Sequence, residues 1–332
     1  MRMSYGAITT RLLTIAAELG IADLVADRPR PVSELAAATS TNPDALYRIL
    51  RTLAGAGVFT EICARSFGQT PLSATLRTGT SGSVRDAVLE LGSAETFGAL
   101  ERLMHTVRTG EPAFDRMYGT DWWTYLSERP QRAEIFNNVQ SITARQVHRL
   151  VLEPYDLTGA RKLVDIGGGH GNLVAAMLHR YPELRGVVFD QPAVVQGARK
   201  VLDDAGVVER AELIGGNFFD GVPGGGDVYL LSMILHDWDN ERALAILTNV
   251  RKVMAPDARV LVIDPLIPEG DTPSVGKFVD IYMLMHFAGR ERTEDEFRGL
   301  FDAAGLQLIE TRHTGAPSSL LIATAKAVVP EG

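Results

Sequence analysis

The feature that most constrains the fold is an apolar strand that runs directly into a glycine cluster near the middle of the chain. The strand is predicted over Leu163–Ile166, and a second apolar strand, Gly186–Asp190, ends in an acid. The glycines are Gly167, Gly168, Gly169 and Gly171. Glycines let the backbone approach a ligand closely, and the helix that follows offers free N–H groups. Because an acid at the end of the second strand can accept two hydrogen bonds from a ribose diol, the pattern predicts a nucleoside-binding site.

The residue pattern of the glycine loop favours one class of nucleoside over another. A dinucleotide fingerprint has the pattern G-x-G-x-x-G, whereas this loop has the pattern GGG-x-G, with Asp165 two residues before Gly167. A carboxylate at that position would repel a pyrophosphate, but it suits a ligand that carries an amine. S-adenosylmethionine fits because it combines adenosine, a sulfonium cation and an amino-acid tail. We therefore predict S-adenosylmethionine as the cofactor and S-adenosylhomocysteine as its product.

Beyond residue 160 the predicted strands and helices alternate, which is typical of an α/β fold with a largely parallel sheet. The capping box Thr293–Glu296 begins a late helix that ends before Gly305. The last two strands predict an antiparallel hairpin at the sheet edge. Seven strands in this order predict the Rossmann-like sheet of a class I methyltransferase. They are Leu163–Ile166, Gly186–Asp190, Ala211–Ile214, Val228–Leu231, Val260–Asp264, Leu306–Thr311 and Leu320–Ala325.

Residues 1–80 predict a small, mostly helical domain. Ser33 is placed to cap a short helix, and Asn42 caps the next helix, with Pro43 in its first turn. The segments 58–62 and 66–70 predict a hairpin, so the domain has the form of a winged helix. A winged helix raises the alternative of a ligand-responsive regulator that binds DNA. The formal net charge is −8, however, so we predict no nucleic-acid partner.

The composition indicates the cellular location of the protein, and the rest of the chain completes its division into domains. No segment approaches the ~20 apolar residues of a membrane span, and the amino terminus lacks the hydrophobic core of a signal peptide. Cys63 is the single cysteine, so no internal disulfide forms. We expect a cytoplasmic protein without membrane contact. Residues 81–155 predict a helical linker that contributes to the substrate pocket, and 156–332 predict the cofactor-binding catalytic domain.

A histidine with two acids nearby carries the predicted chemistry. The fourth strand of the sheet leads into His236, Asp237 and Trp238, which emerge at the carboxyl edge beside the nucleoside. A histidine there can take the proton of a hydroxyl near neutral pH, and Trp238 is placed to stack on adenine. Asp264 ends the next strand, and Glu291 precedes the capped helix. Either acid is placed to accept the second imidazole N–H, and the spacing does not decide between them.

Five stretches along the chain carry a family resemblance. They are VDIGGGHGNL, GVVFDQP, LIGGNFF, LSMILHDW and GRERTEDEF. Together with the amino-terminal winged helix they resemble the plant-type O-methyltransferase family. That family includes caffeic-acid and hydroxyindole methylating enzymes and bacterial enzymes that tailor natural products. The resemblance spans essentially the whole chain, and it implies a homodimer formed through the amino-terminal domain.

The resemblance also implies a reaction and the residues that perform it. His236 is the general base that removes a phenolic proton, after which the oxygen attacks the sulfonium methyl in line. Asp264 and Glu291 flank the base. Cofactor contacts are implied for Asp165, Gly167, Gly168, Gly169, Asp190, Gln191, Asn217, Phe218, Ser232, Asp237 and Trp238. Substrate contacts are implied for Phe136, Gln140, Met233, Met283, His286 and Phe287.

Alternatives to this function stay open at this point. Some bacterial family members perform hydroxylation or decarboxylation, although those tend to lack the base that His236 supplies here. A metal-dependent catechol-type enzyme would require several convergent carboxylates near the cofactor, so we predict no metal. We expect the acceptor to be a small hydroxylated aromatic, with an amine or a carboxylate as alternatives.

Overall fold

The computed structural model describes residues 3–80, 82–147, 155–313 and 318–327. The chain divides into two compact units, the first comprising Met1–Met104 with Ala113–Ile142 and the second comprising His105–Pro112 with Thr143–Gly332. The predicted three-part division at residues 80 and 155 stays a prediction. Within the described ranges, every helix is too short or too polar to cross a bilayer.

The amino-terminal part of the first unit combines short helices with a small sheet. A 3-10 helix covers Met3–Tyr5, and the α-helices are α1 (Gly6–Glu18), α2 (Ile21–Leu24), α3 (Val32–Ala38), α4 (Pro43–Gly55) and α5 (Pro71–Ala74). The strands β1 (Arg30–Pro31), β2 (Phe59–Cys63) and β3 (Ser66–Gln69) form a sheet in the order β1-β3-β2. The antiparallel pairing of β2 with β3 confirms the predicted hairpin.

The two predicted caps in this part of the chain have different outcomes. The side chain of Asn42 accepts the N–H groups of Asp44 and Ala45, which confirms it as the cap of α4. The cap predicted for Ser33 is wrong. Helix α3 begins at Val32, one residue before Ser33, and the N–H of Val32 donates to the carbonyl of Arg65 at 2.8 Å. Pro31 therefore occupies the cap position and Ser33 lies inside the first turn, and among the described residues no side-chain hydrogen bond caps the helix.

Five further helices occupy residues 82–147. They are α6 (Arg85–Leu91), α7 (Ala94–Thr109), α8 (Ala113–Tyr118), α9 (Trp122–Ser127) and α10 (Pro130–Val147). Aromatic side chains form much of the core here, with Phe114 edge-on to Trp122 at 5.0 Å and to Tyr125 at 5.2 Å between ring centroids. The buried pair of Arg132 and Glu90 joins α10 to α6 through two hydrogen bonds.

A seven-stranded sheet forms the second unit. Its strands are β4 (Lys162–Ile166), β5 (Arg185–Asp190), β6 (Ala211–Gly215), β7 (Val228–Ser232), β8 (Arg259–Pro265), β9 (Leu306–His313) and β10 (Ser318–Ala325). Their order is β6-β5-β4-β7-β8-β10-β9, and β10 is antiparallel to both of its neighbours. All seven predicted strands are therefore confirmed, with bounds that differ by one to two residues.

Helices cover both faces of this sheet because the strand side chains alternate between two apolar cores. The helices are α11 (Asn172–Arg180), α12 (Pro192–Val195), α13 (Ala198–Asp204), α14 (Asn240–Val253), α15 (Gly276–His286) and α16 (Glu294–Ala303). Helices α11 and α13 supply side chains to one core, and α14 and α16 supply them to the other. Each large apolar side chain buried in this way stabilises the fold by about 1.5–3 kcal/mol.

The strand order determines where a ligand can bind. Strand β4 lies between β5 and β7, so the chain reverses direction across the sheet after β6. A crevice opens at such a reversal, outside the carboxyl ends of the strands. The residues that follow β4, β5, β7 and β8 therefore converge on one edge of the second unit.

Candidate active site

The glycine loop after β4 folds tightly beneath the end of β5. The N–H groups of Gly167 and Gly168 both donate to the carbonyl of Phe189, at 2.8 and 3.2 Å. Gly167 and Gly169 have φ of +73° and +56°, a region that glycine enters at low cost. A Cβ on Gly168 would lie 2.8 Å from the carboxylate of Asp165. Any larger residue at position 168 would therefore push against that acid.

Asp190 connects the loop to the second strand. Its carboxylate accepts the N–H of Gly169 at 2.8 Å on one oxygen and the N–H of Gln191 at 2.6 Å on the other. The side chain is half-buried, and each carboxylate oxygen has a further lone pair. The acid is thus held in place by backbone groups while it keeps acceptor capacity for a diol.

Asp165 is buried and incompletely satisfied. It is 2% exposed, and its Oδ2 has no hydrogen-bond partner among the described residues. Burial, and to a smaller extent the charge of Asp190, raise the pKa of Asp165 to about 7. A buried acceptor without a partner is costly, and a cationic group seated beside it would remove that cost. The glycine loop therefore fits a ligand with an ammonium group.

We expect Asp165→Asn to stabilise the ligand-free protein at alkaline pH. The folded carboxyl binds its proton up to about pH 7, whereas the unfolded one loses it near 3.8, so the free energy of unfolding falls as pH rises between these values. The stabilisation by Asp165→Asn relative to the parent protein therefore has an upper bound of about 4 kcal/mol above pH 7 and vanishes near pH 4. Urea unfolding at pH 4.5 and pH 8 measures it, with exposed Asp257→Asn as control. An equal effect of Asp165→Asn at both pH values would contradict the expectation.

An aromatic group lies between β6 and α14. The ring of Trp238 stands edge-on to Phe219 at 4.9 Å and to Phe218 at 5.9 Å. The buried side chain of Asn249 donates to the carbonyls of both phenylalanines at 2.9 Å. Asn217 is exposed, and its amide oxygen accepts the N–H of Phe219. The sequence predicted Asn217, Phe218 and Trp238, but nothing in it pointed to Phe219 or Asn249.

His236 lies in a short 3-10 helix, Leu235–Asp237, that follows β7. It is 2% exposed, and its Nδ1 is 2.9 Å from Oε1 of Glu291, which is 1% exposed. The carboxylate accepts an N–H from Nδ1, so in the neutral ring the lone pair lies on Nε2. Among the described residues Nε2 makes no hydrogen bond. The pair is therefore built like a general base with an orienting acid.

Two further acids surround the imidazole. Oδ1 of Asp237 is 3.4 Å from Nε2, and its side chain is only 16% exposed, so it faces the ring more than solvent. Asp264 is fully buried, and neither of its oxygens has a hydrogen-bond partner among the described residues. Burial alone would lower the pKa of His236, but the carboxylates of Asp237, Glu291 and Asp264 outweigh it and raise the pKa above 6.5. Burial raises the pKa of Asp264 to about 7.

The residues predicted to contact substrate lie in both units. Helix α15 carries Met283 and His286, both buried, and Phe287 follows it half-buried. Met233 follows β7, where Ser232 ends the strand, in a left-handed conformation with φ of +56°. The remaining two belong to α10 in the first unit. They are Phe136, which is buried with its ring edge-on to Trp122 and Trp123, and Gln140, which is half-buried.

The segment that carries Glu291 makes contacts that the sequence did not indicate. The N–H of Glu291 donates to Oδ1 of Asp280 on α15 at 2.8 Å. A Cβ on Gly289 would lie 2.4 Å from the carbonyl oxygen of His236, so only glycine allows this approach. In the sequence, the GRERT stretch was the signal that pointed to this segment, but its pattern did not indicate the contacts of Asp280 and Gly289.

Comparison with known families decides what this site belongs to. Residues 1–79 match the O-methyltransferase dimerisation domain, and residues 100–307 match the O-methyltransferase domain. The chain belongs to the O-methyltransferase family. This O-methyltransferase has the class I methyltransferase sheet that the sequence predicted, with an amino-terminal dimerisation domain.

Three relatives of the O-methyltransferase illustrate the likeness. The phenazine O-methyltransferase of Lysobacter antibioticus is 43% identical over 321 residues, which are 97% of this chain and 94% of the relative. The solved mitomycin 7-O-methyltransferase is 37% identical with a TM-score of 0.90, covering 98% of this chain and 96% of that one. A neocarzinostatin-biosynthesis O-methyltransferase, solved with S-adenosylmethionine and 2-hydroxy-5-methyl naphthoic acid, is 32% identical with a TM-score of 0.81, covering 96% of each chain.

Proposed function

We propose that this O-methyltransferase moves a methyl group from S-adenosylmethionine to the hydroxyl of a small aromatic natural product, with His236 as the general base. The observation that carries this proposal is the buried pair of His236 and Glu291, 2.9 Å apart, after the strand next to the glycine loop. Such a pair has the tautomer and the orientation that proton removal from a hydroxyl requires.

The cofactor site is assigned to residues at the ends of β4, β5, β6 and β7. Asp165 would meet the ammonium group, Asp190 the ribose diol, and Phe218 with Trp238 the adenine ring. The acceptor capacity of Asp190 and the incomplete satisfaction of Asp165 support these assignments. When bound, S-adenosylmethionine supplies an electrophilic methyl carbon on a sulfonium cation, with S-adenosylhomocysteine as the spent product.

The chain's own contribution is to hold the acceptor and to take its proton. His236 receives the hydroxyl proton on Nε2 while Glu291 holds Nδ1–H and stabilises the imidazolium that forms. Holding two reactants in line can contribute roughly 7–11 kcal/mol at the limit, and general-base help adds about 10²–10⁴ in rate. Because His236 must be neutral to act, we expect turnover to rise as pH increases.

An aromatic acceptor agrees with the side chains on and beside α15. Met283, His286 and Phe287 are apolar or aromatic, and the ring of His286 lies 4.2 Å from that of Tyr282 between centroids. The relatives act on phenazine and mitomycin scaffolds, and one was solved with a naphthoic acid. A flat hydroxylated ring system is therefore the proposed acceptor class.

We expect purified protein to transfer labelled methyl from S-adenosylmethionine to at least one member of a panel of hydroxyphenazines, hydroxyquinones and hydroxynaphthoates. Mass spectrometry of each product gives an increase of one methylene unit for methyl transfer and one oxygen atom for hydroxylation. EDTA is expected to leave the rate unchanged. The His236→Gln variant is the matched control for each acceptor. Oxygen insertion or loss of carbon dioxide without methylation, across the panel, would replace the proposed reaction with the alternative tailoring chemistry.

The assembly and location belong to the same proposal. The match of residues 1–79 to a dimerisation domain supports a homodimer formed through the first unit. The acidic net charge of −8 agrees with a small-molecule substrate and no nucleic-acid partner. A cytoplasmic location is consistent with the single cysteine, Cys63, which is exposed and free.

A further inference from the structure

Arg292 is a fully buried cation that the proposed reaction does not use. It is 1% exposed, and its Nη1 donates to the carbonyl of Leu235 while its Nη2 donates to the carbonyl of Trp238, both at 2.8 Å. Its Nε donates to Oδ1 of Asn240 at 3.1 Å. Burying a guanidinium is costly unless its donors are satisfied, so these bonds account for its presence in the interior.

The two carbonyls that Arg292 binds stand on either side of His236. Leu235 precedes the histidine and Trp238 comes two residues after it. The two donors Nη1 and Nη2 of Arg292, here called the guanidinium fork, therefore span the short 3-10 helix that carries the base. Within the described part of the chain, no side chain caps the start of that helix. A planar guanidinium binds two acceptors at a set spacing, which a lysine ammonium does not do. The fork therefore sets the position of the backbone from which His236 and Trp238 both project.

Backbone contacts attach Arg292 to the residues that directly follow β8. The N–H of Ile267 donates to the carbonyl of Arg292 at 3.1 Å, and Leu266 forms a parallel bridge with it. Two residues earlier, the N–H of Arg290 donates to the carbonyl of His236 at 2.8 Å. The loop of the base is thus held from one segment by a main-chain bond and by the guanidinium fork.

We propose that Arg292 is a positioning residue that aligns the base and the adenine pocket together through one guanidinium. The fork holds His236 against Glu291 at one end of the loop and Trp238 against Phe219 at the other. The proposal rests on the function assigned to His236. Two of the measurements that test it do not depend on turnover: the affinity for S-adenosylhomocysteine and the Nδ1–H resonance of His236.

The test replaces Arg292 by lysine, which keeps the charge and loses the fork. We expect kcat to fall about 10- to 100-fold, because a small misplacement of a reacting group costs about that much. Affinity for S-adenosylhomocysteine, measured by calorimetry, is expected to fall about 3- to 10-fold, because the contact with the positioned ring of Trp238 is weakened. The downfield Nδ1–H proton resonance of His236 is expected to move or broaden. Arg251→Lys is the matched control, since Arg251 donates to the carbonyl of Gly305 elsewhere in this unit.

The outcomes separate positioning from simple support of the fold. Parent values of kcat, affinity and the resonance in folded Arg292→Lys would overturn the proposal, as would equal losses in Arg251→Lys. If Arg292→Lys is insoluble, Asn240→Ala decides, because Asn240 is exposed and removing it frees only the Nε contact. We expect the same three changes there at about 2- to 5-fold in kcat, and their absence would overturn the proposal. Full turnover in His236→Gln would instead remove the proposed function and leave the binding and resonance results to judge Arg292.

Discussion

We expect His236→Gln to lower kcat by about 10²- to 10⁴-fold, the range that a positioned general base contributes. The imidazole is the group whose Nε2 has no hydrogen-bond partner among the described residues and whose Nδ1 is held by Glu291. Glutamine is close in size and can still donate to that carboxylate, but its amide does not take up a proton at neutral pH. The loss should therefore appear in kcat, and binding should be spared.

Isothermal calorimetry with S-adenosylhomocysteine separates the two quantities. The affinity of His236→Gln is expected to match that of the parent, because the assigned cofactor contacts come from the ends of other strands and from Trp238. His179→Gln, on the exposed side of α11, serves as the control. An unchanged kcat in folded His236→Gln would remove His236 from the chemistry.

Much of this arrangement could be predicted because it depends on local patterns. Buried parallel strands require continuous apolar runs, and each run in the second half of the chain became a strand of the sheet. The capping box at Thr293 and the cap at Asn42 both formed, since each needs only neighbouring residues. Ser33 failed as a cap because the helix begins one residue before it, where the N–H of Val32 donates to the carbonyl of Arg65 in the turn between β2 and β3.

The contacts that remained hidden are those between segments distant in the chain. Sequence spacing placed Asp264 and Glu291 at the same edge but did not tell which carboxylate reaches Nδ1. That outcome depends on the close approach of Gly289 to the carbonyl of His236, a backbone contact across more than fifty residues. Asp237 was expected to contact the cofactor, and the spacing did not indicate that its carboxylate also lies 3.4 Å from Nε2 of His236. Only packing decides such distances.

Glu291→Gln is expected to lower kcat by about 10²- to 10⁴-fold, and Asp264→Asn by about 10-fold or less. A glutamine amide can either accept from Nδ1 or donate to it, so it no longer selects the tautomer with the lone pair on Nε2. It also removes the charge that stabilises the imidazolium. Asp264 makes no hydrogen bond to the ring, so its loss changes only the surrounding charge.

The pH dependence provides the second test of this difference. Both carboxylates raise the pKa of His236, so removing either one lowers that pKa. Because the neutral imidazole is the active form, the rise of kcat with increasing pH should then begin at lower pH in both variants. The variants should differ in the height of the plateau, which reports tautomer and orientation, and Glu291→Gln should have the lower one. A lower plateau in Asp264→Asn would assign the orienting role to Asp264, against the 2.9 Å contact between Glu291 and Nδ1.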